Sequence, residues 1–189
     1  MIPRRSGGPS STDPHQEAHD EVRSPAAFDP RFSDPDAGPT PWPAAAQVLE
    51  DAELYWLTTV RADGRPHVTP LIGVTMEGAV HFCTGPEEQK ARNLEHDDQV
   101  AVTTGQNTWA QGLDVVVEGT AVRVTDRGTL QALAGALEAK YGSVWHFDVG
   151  DGVFHHGAGT AFVFRVEPAK VLAFAKAPHA QTTYRFAGA

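Results

Sequence analysis

The sequence predicts a mainly β protein of the α+β class, and two turn signals carry that prediction. Asp63-Gly64 separates two apolar runs, residues 55–60 and 67–74. This dipeptide supplies the positive φ of a tight turn between antiparallel strands. Glu77-Gly78 then separates the second run from residues 79–83, which extends the hairpin to a three-stranded meander. Further runs rich in β-branched residues lie downstream, so strands outnumber helices.

The remaining elements follow in chain order. A first helix is expected over about residues 44–53, after the lead-in Pro41-Trp42-Pro43. The clearest helix covers residues 126–141, where leucines recur with the helical period and Gly142 supplies the stop. Glu167-Pro168 interrupts the last β region, because proline cannot donate to a central ladder. The expected strands are residues 99–104, 114–124, 161–166 and 171–174.

Length and composition fit one globular domain over residues 44–189. A chain of 189 residues with 41% hydrophobic content can bury a single core. The formal net charge of −9 argues against a nucleic-acid partner, because an acidic surface repels phosphates. No apolar run approaches the roughly 20 residues that cross a bilayer, and the N-terminus lacks a signal-peptide core. We therefore expect a cytoplasmic protein with no membrane partner.

Residues 1–43 form a tail of different composition. They are rich in proline and poor in apolar side chains, so they cannot offset the entropy of ordering by themselves. The second half contains Phe28, Phe32 and Trp42, each able to bury a large area against the domain or a partner subunit. Two interpretations are open: a strap over residues 28–43, or a disordered leader.

Residues 84–94 join the end of the third strand to a helix that carries two cations, Lys90 and Arg92. A helix N-terminus presents unpaired N–H groups and the positive end of the macrodipole, and these side chains add full charges. The combination indicates a phosphate site. The alternative is a solvated, charged helix face, because most lysines and arginines near helix starts face water.

Other polar groups are weaker candidates. Residues 146–156 contain several histidines and aspartates, but adjacent strand residues such as His155 and His156 point to opposite faces. Loop polarity or a substrate contact is therefore favoured over a metal site. Cys83, the single cysteine, ends an apolar strand beside no evident base, which favours a buried thiol over a nucleophile. No nucleophile elbow, P-loop or dinucleotide-binding glycine motif is present, which argues against a Rossmann fold.

Together, these motifs resemble the split β-barrel family of the pyridoxamine 5′-phosphate oxidases and their flavin and deazaflavin oxidoreductase relatives. The similarity extends from Tyr55 to Phe186. It implies a six-stranded antiparallel split β-barrel that binds FMN, with flanking helices. The motifs that carry it are the hairpin at residues 61–66, the strand at 69–74, the Phe-Cys-Thr triplet ending at Thr84, the helix at 89–94 and the run at 113–122.

The resemblance also implies which residues hold the cofactor. In the family, backbone of the second strand lies along the flavin ring, while a third-strand threonine and a helix lysine grip the phosphate. Here these positions are residues 69–74, Thr84 and Lys90, and Trp109 falls in a loop near the ring face. The full set of implied cofactor-binding residues is Thr69, Pro70, Leu71, Ile72, Gly73, Val74, Cys83, Thr84, Gln89, Lys90, Arg92, Asn93, Trp109 and Asp114.

Departures from the family pattern bear on the substrate. Gln89 stands where the oxidases carry arginine, Asp114 where they carry glutamine, and Thr69 where they carry a basic residue. The family's substrate-phosphate arginines near the C-terminus have no clear counterpart apart from Arg185. These differences argue against pyridoxine phosphate as the substrate.

The implied function is an FMN-dependent oxidoreductase that transfers hydride to or from a small substrate. The flavin performs this chemistry without a protein nucleophile, so neither a catalytic side chain nor a metal is expected. In the family a second subunit supplies the other wall of the cleft. This implies a C2 homodimer, with Trp109, Trp145 and residues 182–186 as candidate contributions from the partner.

Two alternatives stay open on the same fold. One is a reductase that uses the deazaflavin coenzyme F-420, and the other is a non-catalytic flavin- or haem-binding protein. A deazaflavin with a polyglutamate tail requires cations near the cleft mouth, and few are evident beyond Lys90, Arg92 and Arg65. That scarcity favours FMN.

Overall fold

Two glycine turns form the first hairpins as their sequences dictate. In this computed structural model, which describes residues 26–186, Gly64 has φ 82° and its N–H donates to the Arg61 carbonyl at 2.8 Å. Glu77 and Gly78 have φ values of 51° and 72° and join the next two strands. These left-handed conformations match the twist of paired antiparallel strands. Both predicted turns are confirmed.

Eleven strands and three α-helices make up the described part of the chain. The strands are β1 (Ala27–Phe28), β2 (Tyr55–Val60), β3 (Pro66–Leu71), β4 (Val74–Met76), β5 (Ala79–Thr84), β6 (Gln99–Thr104), β7 (Leu113–Val124), β8 (Asp148–Val149), β9 (Phe154–His156), β10 (Gly159–Lys176) and β11 (His179–Arg185). The helices are α1 (Trp42–Asp51), α2 (Gln89–Leu94) and α3 (Arg127–Tyr141), with short 3-10 turns at Pro30–Phe32 and Ser143–Trp145. None of the helices within residues 26–186 has the length and apolar character required to cross a membrane.

The strands form an antiparallel split β-barrel whose sheet does not close. Its main path runs β1-β11-β10-β7-β6-β2-β3. The 18-residue β10 pairs with β7 along most of its length, and it pairs on its other edge first with β5 and then with β11. β3 ends the path and, among the described strands, pairs only with β2. The barrel is therefore open beside β3.

The split arises where one predicted strand proves to be two. Residues 67–74 were expected as a single strand in a three-stranded meander, yet β3 pairs with β2 and β4 pairs with β5. The chain changes partner at Ile72 and Gly73, where a Cβ on Gly73 would lie 2.7 Å from the His81 carbonyl oxygen. Only glycine permits so close a backbone approach. The expected meander is thus replaced by two hairpins.

Two apolar clusters hold the barrel and its outer helix. The inner cluster includes Tyr55, Leu57, Val102 and Phe164, all buried. The outer cluster joins Leu130, Leu133 and Leu137 of α3 to β-strand residues such as Val163. Asp126 caps α3 by accepting from the Thr129 N–H at 2.8 Å, and Gly142 ends it, as predicted. Strands β5 and β10 therefore carry buried side chains on both faces.

The number and limits of the elements differ from the sequence prediction. The sequence predicted seven strand segments, and the described residues form eleven strands, because two of the segments merge into β10 and because β1, β4, β8, β9 and β11 were not predicted. The two strands expected around Glu167-Pro168 are one strand, β10, with a register shift between Pro168 and Lys170. Proline fits there because a bulge removes the need for its missing N–H. Helix α1 begins at Trp42 rather than at residue 44.

The chain from residue 26 to residue 41 lies along the outer edge of β11. Phe28 pairs with Thr182, the Thr40 N–H donates to Thr182 Oγ1 at 2.9 Å, and the Tyr184 hydroxyl donates to the Thr40 carbonyl. Trp42 then packs edge-on against Tyr184, with ring centroids 5.1 Å apart. This segment covers what would otherwise be an exposed sheet edge. Residues 1–25 of the predicted tail lie outside the described residues.

Candidate cofactor site

A cleft of about 560 Å³ opens where the barrel is split. Pro70, Leu71 and Ile72 line one side, at the end of β3. Cys83 and Thr84, at the end of β5, line another part. Small-molecule and cofactor sites commonly enclose about 300–1,000 Å³ and are mostly apolar with a few placed polar groups. This cleft has that size and that character.

Lys90 is the buried cation of the cleft, with only 7% of the residue exposed. Its ammonium donates to Glu88 Oε2, and the Gly85 N–H donates to Glu88 Oε1 at 2.7 Å. Burial raises the pKa of the Glu88 carboxyl, but hydrogen bonds from Lys90 and Gly85 outweigh it and hold that pKa below its ordinary value. A buried ammonium requires such a partner. The carboxylate of Glu88 therefore takes the anion position beside Lys90.

Two polar atoms on β3 have no hydrogen-bond partner among residues 26–186. They are His67 Nδ1 and Thr69 Oγ1, both buried. Burial is the first cause that lowers the pKa of His67, followed by the charges of Arg61 and Lys90. An unsatisfied buried polar atom costs roughly 1–3 kcal/mol. Neither His67 nor Thr69 is among the residues that line the cleft, so these atoms are unsatisfied polar groups outside its lining.

Aromatic side chains from residues 145–156 form another wall of the cleft. Trp145 stacks on His156 with ring centroids 6.0 Å apart and an interplanar angle of 24°, and Phe147 lies 5.4 Å from the same imidazole. His156 Nδ1 lies 3.0 Å from the His146 carbonyl oxygen, so in the neutral ring this nitrogen is the donor and Nε2 is the acceptor. The wall is thus apolar with one fixed imidazole.

Cys83 lines the cleft as a protonated thiol. Burial, aided by the charge of Glu88, raises the pKa of Cys83 to about 11. At neutral pH the thiolate is therefore scarce, and nucleophilic chemistry requires the thiolate. The structure supports the expectation of a buried thiol rather than a nucleophile.

Six residues of the predicted cofactor set line the cleft, and eight do not. The six are Pro70, Leu71, Ile72, Cys83, Thr84 and Lys90. The others lie elsewhere, namely Thr69, Gly73, Val74, Gln89, Arg92, Asn93, Trp109 and Asp114.

Several of the eight have structural contacts. Val74 is buried in the outer cluster, and the Gly73 carbonyl accepts from the Tyr141 hydroxyl at 2.7 Å. Asn93 is 2% exposed, donates to Thr59 Oγ1 at 2.8 Å and accepts from Gln89 Nε2 at 2.8 Å. These contacts fix α2 against β2. Helix α2 has only six residues, so its backbone dipole adds little to the charge of Lys90.

Of the remaining predicted residues, Arg92 and Trp109 are exposed and Asp114 is partly exposed, whereas Thr69 Oγ1 is buried on β3. Arg92 pairs with Glu87 at 2.7 Å. Asp114 pairs with Lys176 at 3.0 Å and accepts from the Gln106 N–H at 3.1 Å, which orders the loop between β6 and β7. That loop carries Trp109, which is 90% exposed. Asp114 and Lys176 therefore contact the loop that presents an exposed indole.

Sequence reasoning missed the aromatic wall and the role of Glu88. Trp145, a candidate contribution from a partner subunit, lines the cleft of its own chain together with Phe147 and His156. These residues follow α3 and lie in or beside the β8–β9 hairpin. No local sequence pattern predicted that hairpin. Glu88 lies in the 84–94 segment, and its spacing of two residues from Lys90 was the available signal.

The histidine-rich region makes ordinary polar contacts. His146 Nδ1 lies 2.8 Å from Glu138, and this carboxylate raises the pKa of His146. Within residues 26–186 no group of three or more His, Cys, Asp or Glu is placed to hold a metal ion.

Comparisons with known proteins agree with this fold. The family model for pyridoxamine 5′-phosphate oxidase matches residues 41–175. No curated protein matches the chain. One similar solved structure is a haem-binding protein from Mycobacterium smegmatis, with 16% identity and a TM-score of 0.62 over 78% of this chain. The chain spans 60% of the length of that protein.

Two further structures show the same likeness. An FAD-binding protein from Mycobacterium smegmatis has 18% identity and a TM-score of 0.51, covering 77% of this chain and 98% of its own. The haem storage protein HutZ from Vibrio cholerae has 18% identity and a TM-score of 0.53, covering 67% of this chain and 88% of its own. At such identities the likeness concerns the fold, and one fold hosts many functions.

Proposed function

Since the chain belongs to the pyridoxamine 5′-phosphate oxidase family, we propose that it binds FMN in the cleft and acts as a flavin-nucleotide-dependent oxidoreductase. One observation carries the proposal. Lys90 is a nearly buried cation in a mostly apolar cleft, beside Thr84. A buried cation at such a place suits the phosphate of a nucleotide whose ring requires apolar contact.

Under this proposal, different residues of the cleft bind different parts of the cofactor. Lys90 and Thr84 bind the phosphate, and β3, unpaired on one edge among the described strands, offers backbone groups to the ring. Leu71, Ile72 and Phe147 exclude water from the ring. Bound flavin supplies the hydride transfer itself. The protein therefore contributes position and a dry environment.

Titration of the purified protein with FMN tests the proposal. We expect saturable quenching of flavin fluorescence, followed by anaerobic bleaching of the visible flavin band when a reduced nicotinamide or another small reductant is added. Absence of quenching up to about 1 mM FMN would exclude a functional site of this kind.

We further propose a homodimer whose cleft is completed by the second copy. The outward face of β2 and β3 exposes Trp56 and Val68 by 50% and 53%. Apolar side chains gathered on paired strands are typical of an interface. Light scattering at micromolar concentration should give twice the monomer mass, and Trp56→Glu should give the monomer. Val144→Glu, at an exposed site on the 3-10 turn after α3, is the control. A wild-type monomer that binds FMN would contradict this proposal.

Haem binding is a second candidate, favoured by His156. Nδ1 of His156 lies against the carbonyl of His146, and Trp145 and Phe147 pack on the ring, so the imidazole is held in the lining of an apolar cleft. Metal-binding histidines are commonly oriented by such a bond to a carbonyl. Haemin titration should then shift the Soret band in wild type but not in His156→Ala. His155→Ala, on the opposite face of β9, is the matched control. An unchanged spectrum in both variants would remove His156 from this role.

A further inference from the structure

The carboxylate of Glu88 uses the donors that an incoming phosphate requires. Glu88 Oε2 accepts from Lys90, and Glu88 Oε1 accepts from the Gly85 N–H at 2.7 Å. All three residues line the cleft. A carboxylate and a phosphate compete for the same charge-assisted donors. A phosphate that enters the cleft therefore competes with Glu88 for Lys90 and for the Gly85 N–H.

Exposure shows which partner is free to move. The side chain of Lys90 is 9% exposed, whereas that of Glu88 is 50% exposed. Rotation of Glu88 into water loses little packing, and its carboxylate regains hydration there. Lys90 has no comparable route, because moving it would leave a void and expose its buried stem. Exchange at this site is thus a movement of Glu88 alone.

We propose that Glu88 is an internal competitor of the flavin phosphate and sets the preference of the cleft for FMN over unphosphorylated riboflavin. The inference rests on the proposed flavin binding. In the cofactor-free protein Glu88 neutralises Lys90, so part of the interaction between Lys90 and the phosphate is offset by the loss of the Lys90–Glu88 pair. Riboflavin has no phosphate and leaves that pair in place. Glu88 therefore weakens FMN binding selectively.

The variant Glu88→Gln distinguishes competition by the Glu88 charge from a structural role of the Glu88 side chain. Glutamine has nearly the same shape, and its amide oxygen still accepts from the Gly85 N–H. It removes the negative charge, so Lys90 is left without its ionic partner. Glu87→Gln is the matched control, because Glu87 lies one residue away and pairs with exposed Arg92 at 2.7 Å. Both variants change the net charge equally.

Dissociation constants for FMN and riboflavin, measured with wild type and both variants, test the proposal. We expect Glu88→Gln to bind FMN about tenfold more tightly, with riboflavin changed by less than about twofold. Glu87→Gln should change the ratio of the two constants by less than about threefold. Inorganic phosphate, compared with chloride at equal ionic strength, should raise the thermal midpoint of Glu88→Gln more than that of wild type.

Each other outcome has a definite meaning. Weaker or unchanged FMN binding in Glu88→Gln overturns the proposal and assigns Glu88 to orienting Lys90. Equal gains for FMN and riboflavin overturn it as well, because they indicate a wider cleft rather than a freed cation. If no variant binds either flavin, the proposed function fails. In that case the thermal midpoint in inorganic phosphate alone tests the competition at Lys90. A larger rise in Glu88→Gln than in wild type supports it, and an equal or smaller rise overturns it.

Discussion

Lys90 acquires its importance from burial rather than from its place in the sequence. Lys90 and Arg92 were predicted together as phosphate-site cations, two residues apart. The fold separates them, because Lys90 lines the cleft with its side chain 9% exposed while the Arg92 side chain is 57% exposed. Charges in water are screened and solvated, whereas a buried charge interacts strongly. The two positions should therefore differ sharply in effect.

Replacing Lys90 with methionine tests this difference. Lys90→Met keeps the buried stem and removes the charge, and FMN affinity should fall by about 2 kcal/mol, or roughly 30-fold in Kd. Arg92→Met should change Kd by less than about threefold. Fluorescence titration measures both, and circular dichroism verifies that each variant is folded. Equal losses in the two variants would place the phosphate outside the Lys90 pocket.

His81 makes the stability of the protein depend on pH. It is 2% exposed, and burial, followed by the charge of Arg165, lowers its pKa from 6.5 to about 4. The unfolded chain takes up its proton near pH 6.5 and the folded protein only near pH 4, so the unfolded state binds more protons between these values. The free energy of unfolding contributed by this group therefore falls as pH drops through that window.

Urea unfolding at pH 7 and pH 5 measures this contribution. Between pH 7 and pH 5, His81 should lower the free energy of unfolding of wild type by about 2 kcal/mol. In His81→Gln this contribution is absent, so the free energy of unfolding should fall by about 2 kcal/mol less than in wild type. His155→Gln removes an exposed histidine and serves as the control, in which the His81 contribution remains. If His81→Gln and wild type share one pH profile, the imidazole is not held neutral.

At the scale of elements, local signals located the strands and tertiary contacts decided their partners. Strands β2 and β6 have the predicted limits, because each is an apolar run bounded by turn residues. Helix α3 was evident from its leucines and from Gly142 at its C-terminal end. Strand β11 and the β8–β9 hairpin were missed, since their side chains become apolar partners only after β10 is in place. The aromatic wall of the cleft was missed for the same reason.

Gly119 shows how one element accommodates another. It lies opposite Pro168 in the bulged part of β10, and a Cβ there would lie 2.0 Å from the Glu167 carbonyl oxygen. The proline that was expected to end the strand is thus tolerated because its partner has no side chain. Gly135, within α3, is unconstrained in this way, because a Cβ there would meet no neighbour within 4 Å among the described residues.

Alanine substitutions at these two glycines should change the free energy of unfolding in opposite directions. Gly119→Ala forces backbone apart and should destabilise the protein by roughly 3 kcal/mol. Gly135→Ala lowers the entropy of the unfolded chain and improves helix propensity, so it should stabilise by about 0.5–1 kcal/mol. Urea unfolding gives both values. Similar effects at the two sites would show that strands β7 and β10 do not approach closely at Gly119.

For the whole molecule, the attraction of an anionic ligand to the cleft depends more on where the charges lie than on the net charge. The chain has a net charge of −9, and Lys90, Arg92 and Arg65 were the cations expected near the cleft. Each is paired with a carboxylate, namely Glu88, Glu87 and Asp63. Each of these three cations is therefore neutralised by its own carboxylate. A ligand with a long anionic tail finds little net attraction here.

Under the proposed function, this charge pattern favours FMN over the deazaflavin. The carboxylates of a polyglutamate tail would run along an acidic surface, whereas the single phosphate of FMN reaches only the Lys90 pocket. FMN should bind at least as tightly as the deazaflavin at about 10 mM salt. The difference between the two affinities should be smaller at about 150 mM salt, because the Debye length is then about 8 Å instead of about 30 Å.

Parallel fluorescence titrations of both cofactors at the two salt concentrations measure this difference. The double variant Asp63→Asn, Glu87→Gln frees Arg65 and Arg92, and should strengthen deazaflavin binding selectively at low salt. FMN, bound within the cleft, should respond less, because the two arginines lie outside its lining. A wild-type protein that binds the deazaflavin tenfold more tightly at low salt, and loses that advantage as salt rises, would make the deazaflavin reductase the better assignment. Attraction that salt weakens requires unpaired cations at the cleft mouth, contrary to the pairing of Arg65 and Arg92.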